Sequence, residues 1–393
     1  MIGEQLNIFG KTILATPKTE GIKYAGSKLK ILPYVIEIIS ELGVKNVCDG
    51  FSGSTRVSQA LAQLGYNTTS SDISVWSEVF ATCYLRSNKP NRFYQELIDH
   101  LNGMEGYDGW YTQHYGTESA GIKRPFQAKN TRKLDAIRDE IENLNLEWED
   151  KCVILTSLIY ALDSVDSTLG HYVSYLSKWS PRSSRDMKMK LPVRFEYKGT
   201  NKVLRGDIFN TISENEFDFV YFDPPYGSNN EKMPPSRVRY AAYYHIWTTI
   251  IKHDMPIVFG KANRREDSRD RVAGSVFEEF RKDKNGSFVA MQALRALIQA
   301  TNSRYILLSY SSGGRATKQE LNEIINESGT LLKAIEIDYK RNVMGNMRWT
   351  NEWINSDRKH QEYLFLMEKK NAPVKNNLVA YQDTICSKNI LSV

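Results

Sequence analysis

The chain has 393 residues, of which 41% are hydrophobic and 25% are charged, and its formal net charge is +6. This composition is ordinary for a soluble globular protein, and the length suggests two or three domains. No apolar run approaches the roughly 18 residues that would indicate a membrane span, so we expect no membrane partner.

The first residues and the cysteines bear on the compartment. The stretch 1–11 lacks the cationic segment and apolar core of a signal peptide. The four cysteines form no CxxC pair and no zinc-type spacing with histidine; they are Cys48, Cys83, Cys152 and Cys386. We therefore expect reduced thiols, a cytoplasmic protein and no bound metal.

Residues 23–86 predict alternating helices and strands. Apolar residues recur with helical spacing and then give way to short apolar runs bounded by turn residues. The predicted elements are a helix over 31–42, a strand over 45–49, a turn over 50–54, a helix over 57–64 and a strand over 66–71. This pattern is typical of the first half of a doubly wound sheet.

The alternation stops over 87–202, where two helical patterns occur at about 130–146 and 151–165. It resumes with a strand over 217–222, helices over about 240–251 and 289–300, and strands over 304–310, 331–338 and 361–367. We predict an α/β fold in which a mainly helical domain, 87–202, is inserted between two parts of one sheet domain, 1–86 and 203–393. The polar segment 228–285 is expected to be a partly ordered surface segment, and the tail after about 370 to be loose.

A distinctive tetrapeptide, Asp223-Pro224-Pro225-Tyr226, follows the apolar strand over 217–222. Ligands bind at the carboxyl ends of strands in open α/β sheets. An ionised aspartate only accepts hydrogen bonds, prolines carry no N–H, and tyrosine offers a flat face for stacking. These properties suit the binding of a planar base through its amino group. The alternative is a simple turn, which Asp and Pro favour for local reasons.

Three further features accompany the tetrapeptide. In the turn Asp49-Gly50-Phe51-Ser52-Gly53-Ser54, Gly53 allows close approach of a ligand, and the following helix start suits a polar group. Asp72 ends the next strand, where an acidic residue accepts hydrogen bonds from ribose hydroxyls; the alternative is a helix cap. Before the first helix lies a cationic loop, Lys23-Tyr24-Ala25-Gly26-Ser27-Lys28.

Together these motifs resemble the Dam-like family of DNA adenine methyltransferases, in the alpha arrangement. The resemblance rests on the loop over 23–28, the Asp49-x-Phe51-x-Gly53 turn, Asp72 and the tetrapeptide, in that order. It implies a Rossmann-like methyltransferase sheet with an inserted, mainly helical target-recognition domain. It also implies transfer of a methyl group from S-adenosylmethionine to the exocyclic amine of adenine in duplex DNA.

The resemblance also implies roles for individual residues. The cofactor-binding residues would be Tyr24 and Lys28 at the methionine end, the turn residues Asp49, Phe51 and Gly53, Asp72 at the ribose, and Asp207 near the adenine. Asp207 is equally well explained as a turn aspartate. The catalytic residues would be Asp223, Pro224, Pro225 and Tyr226, with Tyr226 stacking on the target base.

A basic run over 171–202 is the predicted DNA-binding segment. It contains eight Lys or Arg residues against Asp186 and Glu196, with aromatic residues interleaved. The residues predicted to contact DNA are Lys178, Arg182, Arg185, Lys188, Lys190 and Arg194. Cationic side chains neutralise phosphates, and arginine also reads guanine edges. The alternative is a solvated basic surface.

The resulting hypothesis is a site-specific adenine DNA methyltransferase of a restriction–modification system that flips its target base out of duplex DNA. Two alternatives remain: methylation of a cytosine amine or an RNA adenine, and a catalytically inactive DNA-binding protein. A cognate restriction endonuclease is a candidate partner. The recognised DNA sequence and the oligomeric state stay open.

Overall fold

A seven-stranded sheet forms the centre of the molecule. The structure, a computed structural model, describes residues 4–6, 12–118, 124–227, 239–269, 272, 274–284, 286–339 and 360–370. In chain order the strands of the sheet are β1 (Asn46–Asp49), β2 (Asn67–Asp72), β3 (Lys202–Arg205), β4 (Phe217–Phe222), β5 (Ser303–Ser311), β6 (Gly329–Tyr339) and β7 (His360–Lys369).

The strand order across the sheet is β3-β2-β1-β4-β5-β7-β6. Strands β1 to β5 pair in parallel, whereas β7 runs antiparallel to both β5 and β6. The chain winds outward from β1 to β3 and then returns to start β4 on the other side of β1. This confirms the predicted doubly wound sheet and puts its switch point between β1 and β4, where such sheets bind ligands.

Helices cover both faces of the sheet. They are α1 (Leu32–Ser40), α2 (Arg56–Gln63), α3 (Val75–Leu85), α4 (Asn91–Gly103), α5 (Trp110–Tyr115), α6 (Ala128–Asn143), α7 (Trp148–Asp163), α8 (Ile208–Glu214), α9 (Tyr240–Tyr243), α10 (His245–Lys252), α11 (Val289–Ala300) and α12 (Lys318–Ser328). Helices α1 and α2 pack on one face and α8, α11 and α12 on the other. No helix in the described ranges is long and apolar enough to cross a membrane.

Smaller elements complete the described chain. Antiparallel pairs join Glu4–Leu6 to Thr12–Leu14 and Val258–Phe259 to Arg264–Arg265, and a parallel pair joins Gly116–Thr117 to Phe126–Gln127. Short 3-10 helices cover Pro181–Ser184, Glu266–Ser268 and Val276–Glu278. Cys48, Cys83 and Cys152 are buried free thiols, and Cys386 lies outside the described residues.

The region 87–202 contributes the helices α4 to α7. Their apolar side chains form one continuous cluster with α3 and with α10, in which Tyr244 and Trp247 are fully buried. This region and the sheet domain therefore share a core. Its interpretation as a target-recognition domain stays a prediction.

Most predicted elements appear within a few residues of their expected bounds. The strand over 217–222 is β4, and the helix expected over about 240–251 forms α9 and α10. Part of the segment 228–285, for which a surface path was expected, is instead buried through α10, since this helix carries Trp247 in the core. Residues 228–238 and the tail after 370 lie outside the described residues.

Two asparagines set the path of the basic run. The Asn130 side chain donates to the Arg185 carbonyl at 3.0 Å and accepts from the Met187 N–H at 2.8 Å. Asn102 makes the same paired contact with the backbone of Met189, at 3.0 and 2.9 Å. Both methionine side chains are buried. The side chains between and after them consequently face outward.

Replacement of Asn130 by alanine is expected to destabilise the fold. The change leaves the buried Met187 N–H without its acceptor, which should lower the free energy of unfolding by about 1–3 kcal/mol. Urea denaturation measures the effect. The control is Asn88→Ala, at an exposed position, which should change stability by about 0.5 kcal/mol or less. Equal stabilities of the Asn130 variant and the parent would contradict this account of the segment.

Candidate active site

Acidic residues end three neighbouring parallel strands at the carboxyl edge of the sheet. Asp49 ends β1, Asp72 ends β2, and Asp223 directly follows β4. Asp49 on β1 pairs with Tyr221 on β4, which is two residues before Asp223. Asp49 and Asp223 therefore lie close together, on the two strands that flank the switch point. The parallel pairing therefore brings together residues that are up to 174 positions apart in the sequence.

A buried charged cluster surrounds the tetrapeptide. The Lys28 ammonium group lies 2.8 Å from Asp223 Oδ1 and 2.7 Å from Glu362 Oε1. The Tyr226 hydroxyl donates to Asp223 Oδ1 and lies 2.6 Å from Glu362 Oε1. Ser309 Oγ, on β5, donates to the same glutamate oxygen at 2.8 Å. The Lys28 ammonium group thus forms ion pairs with two carboxylates, in a site from which most solvent is excluded.

Burial and charge act in opposite directions on these groups. Burial raises the pKa of Asp223 to about 6, although the positive charge of Lys28 opposes the rise. Burial alone would lower the pKa of Lys28, but Asp223 and Glu362 outweigh it and raise that pKa to about 12. Lys28 and hydrogen bonds outweigh the effect of burial on Glu362 and lower its pKa. Near neutral pH, Lys28 is therefore charged and both carboxylates are ionised.

The predicted cofactor residues Tyr24, Gly53 and Asp72 lie side by side. Gly53 has φ +48°, and a side chain there would have its Cβ 2.9 Å from the Tyr24 ring. The glycine therefore permits the ring to lie against the turn. Asp72 accepts the Gly53 N–H at 2.9 Å and the Ser74 N–H at 2.8 Å. Tyr24 also stacks on Tyr244 of α9–α10, with ring centroids 4.8 Å apart.

Three other predicted cofactor residues have clear internal contacts. Asp49 is buried and accepts from the backbone N–H of Ser58 at 2.9 Å and from its hydroxyl at 2.6 Å. Phe51 packs edge-on against Phe222 and Phe277, at 6.0 and 5.2 Å. The exposed Asp207 caps α8 by accepting from Phe209 N at 2.9 Å, a local backbone contact that differs from the turn aspartate of its alternative interpretation. Their cofactor contacts stay predictions.

Two residues of the basic run are held by the protein itself. Arg182 pairs with the buried Asp166 and donates to its carbonyl at 2.8 Å. The Arg194 guanidinium donates to Asn91 Oδ1 at 2.6 Å and lies 4.5 Å from the centroid of the Tyr94 ring. These contacts give both arginines a structural role, whatever they contribute to binding.

The other four residues predicted to contact DNA are exposed: Lys178, Arg185, Lys188 and Lys190. Of these, Arg185 still donates to the Ser164 carbonyl at 3.1 Å. Lys188 and Lys190 alternate with the buried Met187 and Met189, so both point away from the core. They are the best candidates for contact with an anionic partner.

Comparison with known proteins identifies the family. A family model described as D12 class N6 adenine-specific DNA methyltransferase matches residues 24–311, well over half of the chain. The chain belongs to this family. The resemblance inferred from the tetrapeptide and the cofactor motifs is thereby confirmed.

Curated relatives agree with this result. The modification methylase StsI of Streptococcus sanguinis is 26% identical over 89% of the chain, and the type II methyltransferase M.FokI of Planomicrobium okeanokoites is 24% identical over 88%. The chain spans only 52% and 53% of their respective lengths. The type II methyltransferase M.NlaIII of Neisseria lactamica is 25% identical over 88% of the chain, which spans 99% of that relative.

The sequence prediction missed Glu362 and Ser309. Ser309 lies near the carboxyl end of β5, whereas Glu362 is the third residue of the antiparallel strand β7. Because β7 runs in the opposite direction, its first residues reach the edge where the parallel strands end. An acidic residue at the start of an apolar strand was the available signal, but its meaning depends on the direction of that strand.

Asp49 should make stability depend on pH. Burial raises its pKa to about 7, and the hydrogen bonds from Ser58 oppose the rise. The unfolded value is about 3.9, so the native state binds this proton more tightly. The stabilisation is therefore complete below about pH 4 and is lost as the pH rises to about 7.

Asp49→Asn retains an acceptor oxygen for Ser58 and does not titrate. We expect a smaller fall in the free energy of unfolding between pH 4 and pH 8 than in the parent, measured by urea denaturation. Asp99→Asn, at an exposed position of α4, should leave that difference unchanged. A parental pH dependence in Asp49→Asn would show that the Asp49 carboxyl does not titrate in this range.

Proposed function

We propose that this protein transfers the methyl group of S-adenosylmethionine to the exocyclic amine of adenine in duplex DNA. The observation that carries the proposal is the tetrapeptide at the switch point, where Asp223 directly follows β4 with only 14% of its side chain exposed. Its family membership supports adenine as the target. A further proposal, supported by the names of the relatives, is a role in restriction–modification with a cognate endonuclease.

The groups around Gly53 fit S-adenosylmethionine chemically. Asp72 accepts hydrogen bonds from the N–H groups of Gly53 and Ser74, and a carboxylate, with about four acceptor positions, would also suit ribose hydroxyls. Tyr24 and the turn at Gly53 would line the other end of the cofactor. When bound, S-adenosylmethionine supplies an electrophilic methyl group on a sulfonium centre.

The tetrapeptide would orient the attacking amine. Asp223 and the Pro224 carbonyl accept its two hydrogens, which leaves the nitrogen lone pair directed away from them. Neither Pro224 nor Pro225 has an N–H that could compete as a donor. The nitrogen gains positive charge as it attacks, so these acceptors stabilise the transition state more than the ground state. This chemistry requires Asp223 to be ionised.

The target adenine would have to leave the DNA helix to reach this site. Extrusion of a base costs a few kcal/mol, and stacking on the Tyr226 ring would offset about 1–3 kcal/mol of this cost. The Tyr226 side chain is half-buried, with its hydroxyl held by the charged cluster. A ring held in this way would offer the base a rigid surface.

Product analysis tests the proposed reaction directly. The protein is expressed in a host that lacks DNA methylation, and modified bases are mapped across the genome and identified by mass spectrometry. N6-methyladenine in one sequence context is the expected result. N4-methylcytosine in the DNA, methyladenine confined to RNA, or no modified base would each refute the proposal, and the last would favour a DNA-binding protein without activity.

Replacement of Asp223 should separate catalysis from binding. Asp223→Ala removes the acceptor of the target amine, so methyl transfer should fall at least roughly a hundredfold. Binding of S-adenosylmethionine, measured by calorimetry, should persist. The control Asp218→Asn lies on the same strand and keeps an oxygen for the Lys45 and Asn46 N–H groups; it should retain activity. Parental turnover in Asp223→Ala would remove this residue from the mechanism.

We further propose that Lys188 and Lys190 contact DNA phosphates. Their exposure and the buried methionines that alternate with them, Met187 and Met189, support an outward-facing cationic pair. Arg182 is less suitable for a test because its removal would leave the buried Asp166 with one fewer partner. The lysine pair can be neutralised without disturbing such a contact.

The double variant Lys188→Gln/Lys190→Gln should weaken DNA binding and its dependence on salt. Each lost phosphate contact lowers the slope of log affinity against log salt by about 0.9, so two contacts should lower it by about 1.8. The matched control is Lys45→Gln/Lys370→Gln, which removes the same charge from exposed lysines just before β1 and just after β7, at the edge of the sheet opposite the tetrapeptide. Equal slopes for both double variants would indicate that the pair is only a solvated surface.

A further inference from the structure

Glu362 lies against three donor groups from three separate elements, and the single hydroxyl hydrogen of Tyr226 is donated either to Glu362 or to Asp223. Glu362 Oε1 lies 2.7 Å from the Lys28 ammonium, 2.6 Å from the Tyr226 hydroxyl and 2.8 Å from Ser309 Oγ. The residue is 6% exposed. A carboxylate is seldom buried unless it is paired and hydrogen-bonded, and here one oxygen satisfies both conditions. These contacts hold the three donor groups in a definite arrangement around Glu362.

Glu362 binds the same two donors that occupy Asp223. Lys28 and the Tyr226 hydroxyl both contact Asp223 Oδ1, and both also contact Glu362 Oε1. Lys28 is itself only 8% exposed. In this arrangement Asp223 Oδ1 is already in use by two donors of the protein, so a target amine that binds this oxygen must displace them.

We propose that Glu362 is a positioning residue, which retains Lys28 and the Tyr226 hydroxyl when the target amine takes their place at Asp223. The inference rests on the proposed function, since it assumes that an amine binds Asp223. A buried ammonium group without a partner is costly, so displacement of Lys28 requires a second anion within reach. Glu362 already lies within hydrogen-bonding distance, so the exchange needs only a small movement.

The groups around Asp223 define how it titrates. Lys28 faces it from the loop before α1, Glu362 from β7, Tyr221 and Tyr226 from β4 and the tetrapeptide, Asp49 from β1 and Tyr240 from α9. Burial raises the pKa values of the three tyrosines well above their ordinary range, so they stay neutral. Asp49 is unchanged in every variant described below, so it does not contribute to the differences between them. Lys28 lowers the pKa of Asp223 and Glu362 raises it.

The test is a double-mutant cycle of Glu362→Gln and Lys28→Met, read by turnover and by its dependence on pH. Each single variant should lose at least tenfold in turnover at pH 8. The acidic limb of the pH–rate profile should move to lower pH in Glu362→Gln and to higher pH in Lys28→Met. In the double variant, the acidic limb of the pH–rate profile should return toward its parental position. The fold-loss in turnover should be smaller than the product of the fold-losses in the two single variants.

A role confined to the stability of the fold predicts losses of turnover that follow the unfolding temperature of each variant, whereas positioning predicts lost turnover in variants that unfold at the parental temperature. The matched control is Glu368→Gln at the other end of β7, where the glutamate pairs with the exposed Arg304. It should keep the turnover and the pH profile of the parent. Glu362→Asp, which keeps the charge on a shorter side chain, covers the case in which Glu362→Gln does not fold. Glu362→Asp should keep the acidic limb of the pH–rate profile at its parental position and should lose turnover.

A measurement without substrate separates this inference from the proposed function. The carboxyl carbon of Asp223, observed by NMR in protein labelled with 13C-aspartate and assigned by Asp223→Asn, should titrate in the same two directions in the single variants. Absence of DNA methylation by the parent would refute the function, and the NMR titration would still test the competition for Lys28. Parental turnover in Glu362→Gln or Glu362→Asp, or shifts in one direction for both single variants, would overturn the inference.

Discussion

The carboxyl edge of the sheet depends on one buried ammonium group, that of Lys28. Asp223 and Glu362 could not both remain ionised in this environment without a cation, because burial favours the neutral form of a carboxyl group. The position of Lys28 is set by the loop before α1, whose Ala25 N–H donates to the Tyr244 hydroxyl at 2.7 Å. Lys23 anchors the start of the same loop. The charge at the carboxyl edge of the sheet is thus positioned by the helices around α7 and α10.

This anchoring joins two regions that the sequence suggested were separate. Asp166 follows α7 and is shared by Lys23 of the loop, at 3.0 Å, and by Arg182 of the basic run. A single buried carboxylate therefore connects the proposed cofactor loop with the proposed DNA-facing segment. Together with the core that α3 and α10 share with α4 to α7, this contact makes independent movement of the two regions costly.

The sequence predicted well whatever depends on local pattern. The strand that ends before Asp223, the glycine turn at Gly53 and the alternation of helices and strands follow from periodicity and turn chemistry. It predicted poorly whatever depends on pairing at a distance. The role of Glu362 follows from the antiparallel direction of β7, and the internal contacts of Arg182 and Arg194 depend on partners up to 107 residues away. A run of basic residues in the sequence shows how many cations are present. It does not show which of them already pair with groups of the protein itself.

The hydroxyl group of Tyr226 gives tyrosine a function at this position of the tetrapeptide that phenylalanine would lack. Stacking alone requires only a flat ring, which phenylalanine also provides. The tyrosine hydroxyl lies between Asp223 and Glu362 and approaches Ser309 at 3.2 Å, so it fixes the ring with respect to both carboxylates. A ring fixed in this way loses little freedom when a base stacks on it. The contact of this hydroxyl with Asp223 would therefore also hold in place the surface that is proposed to receive the base.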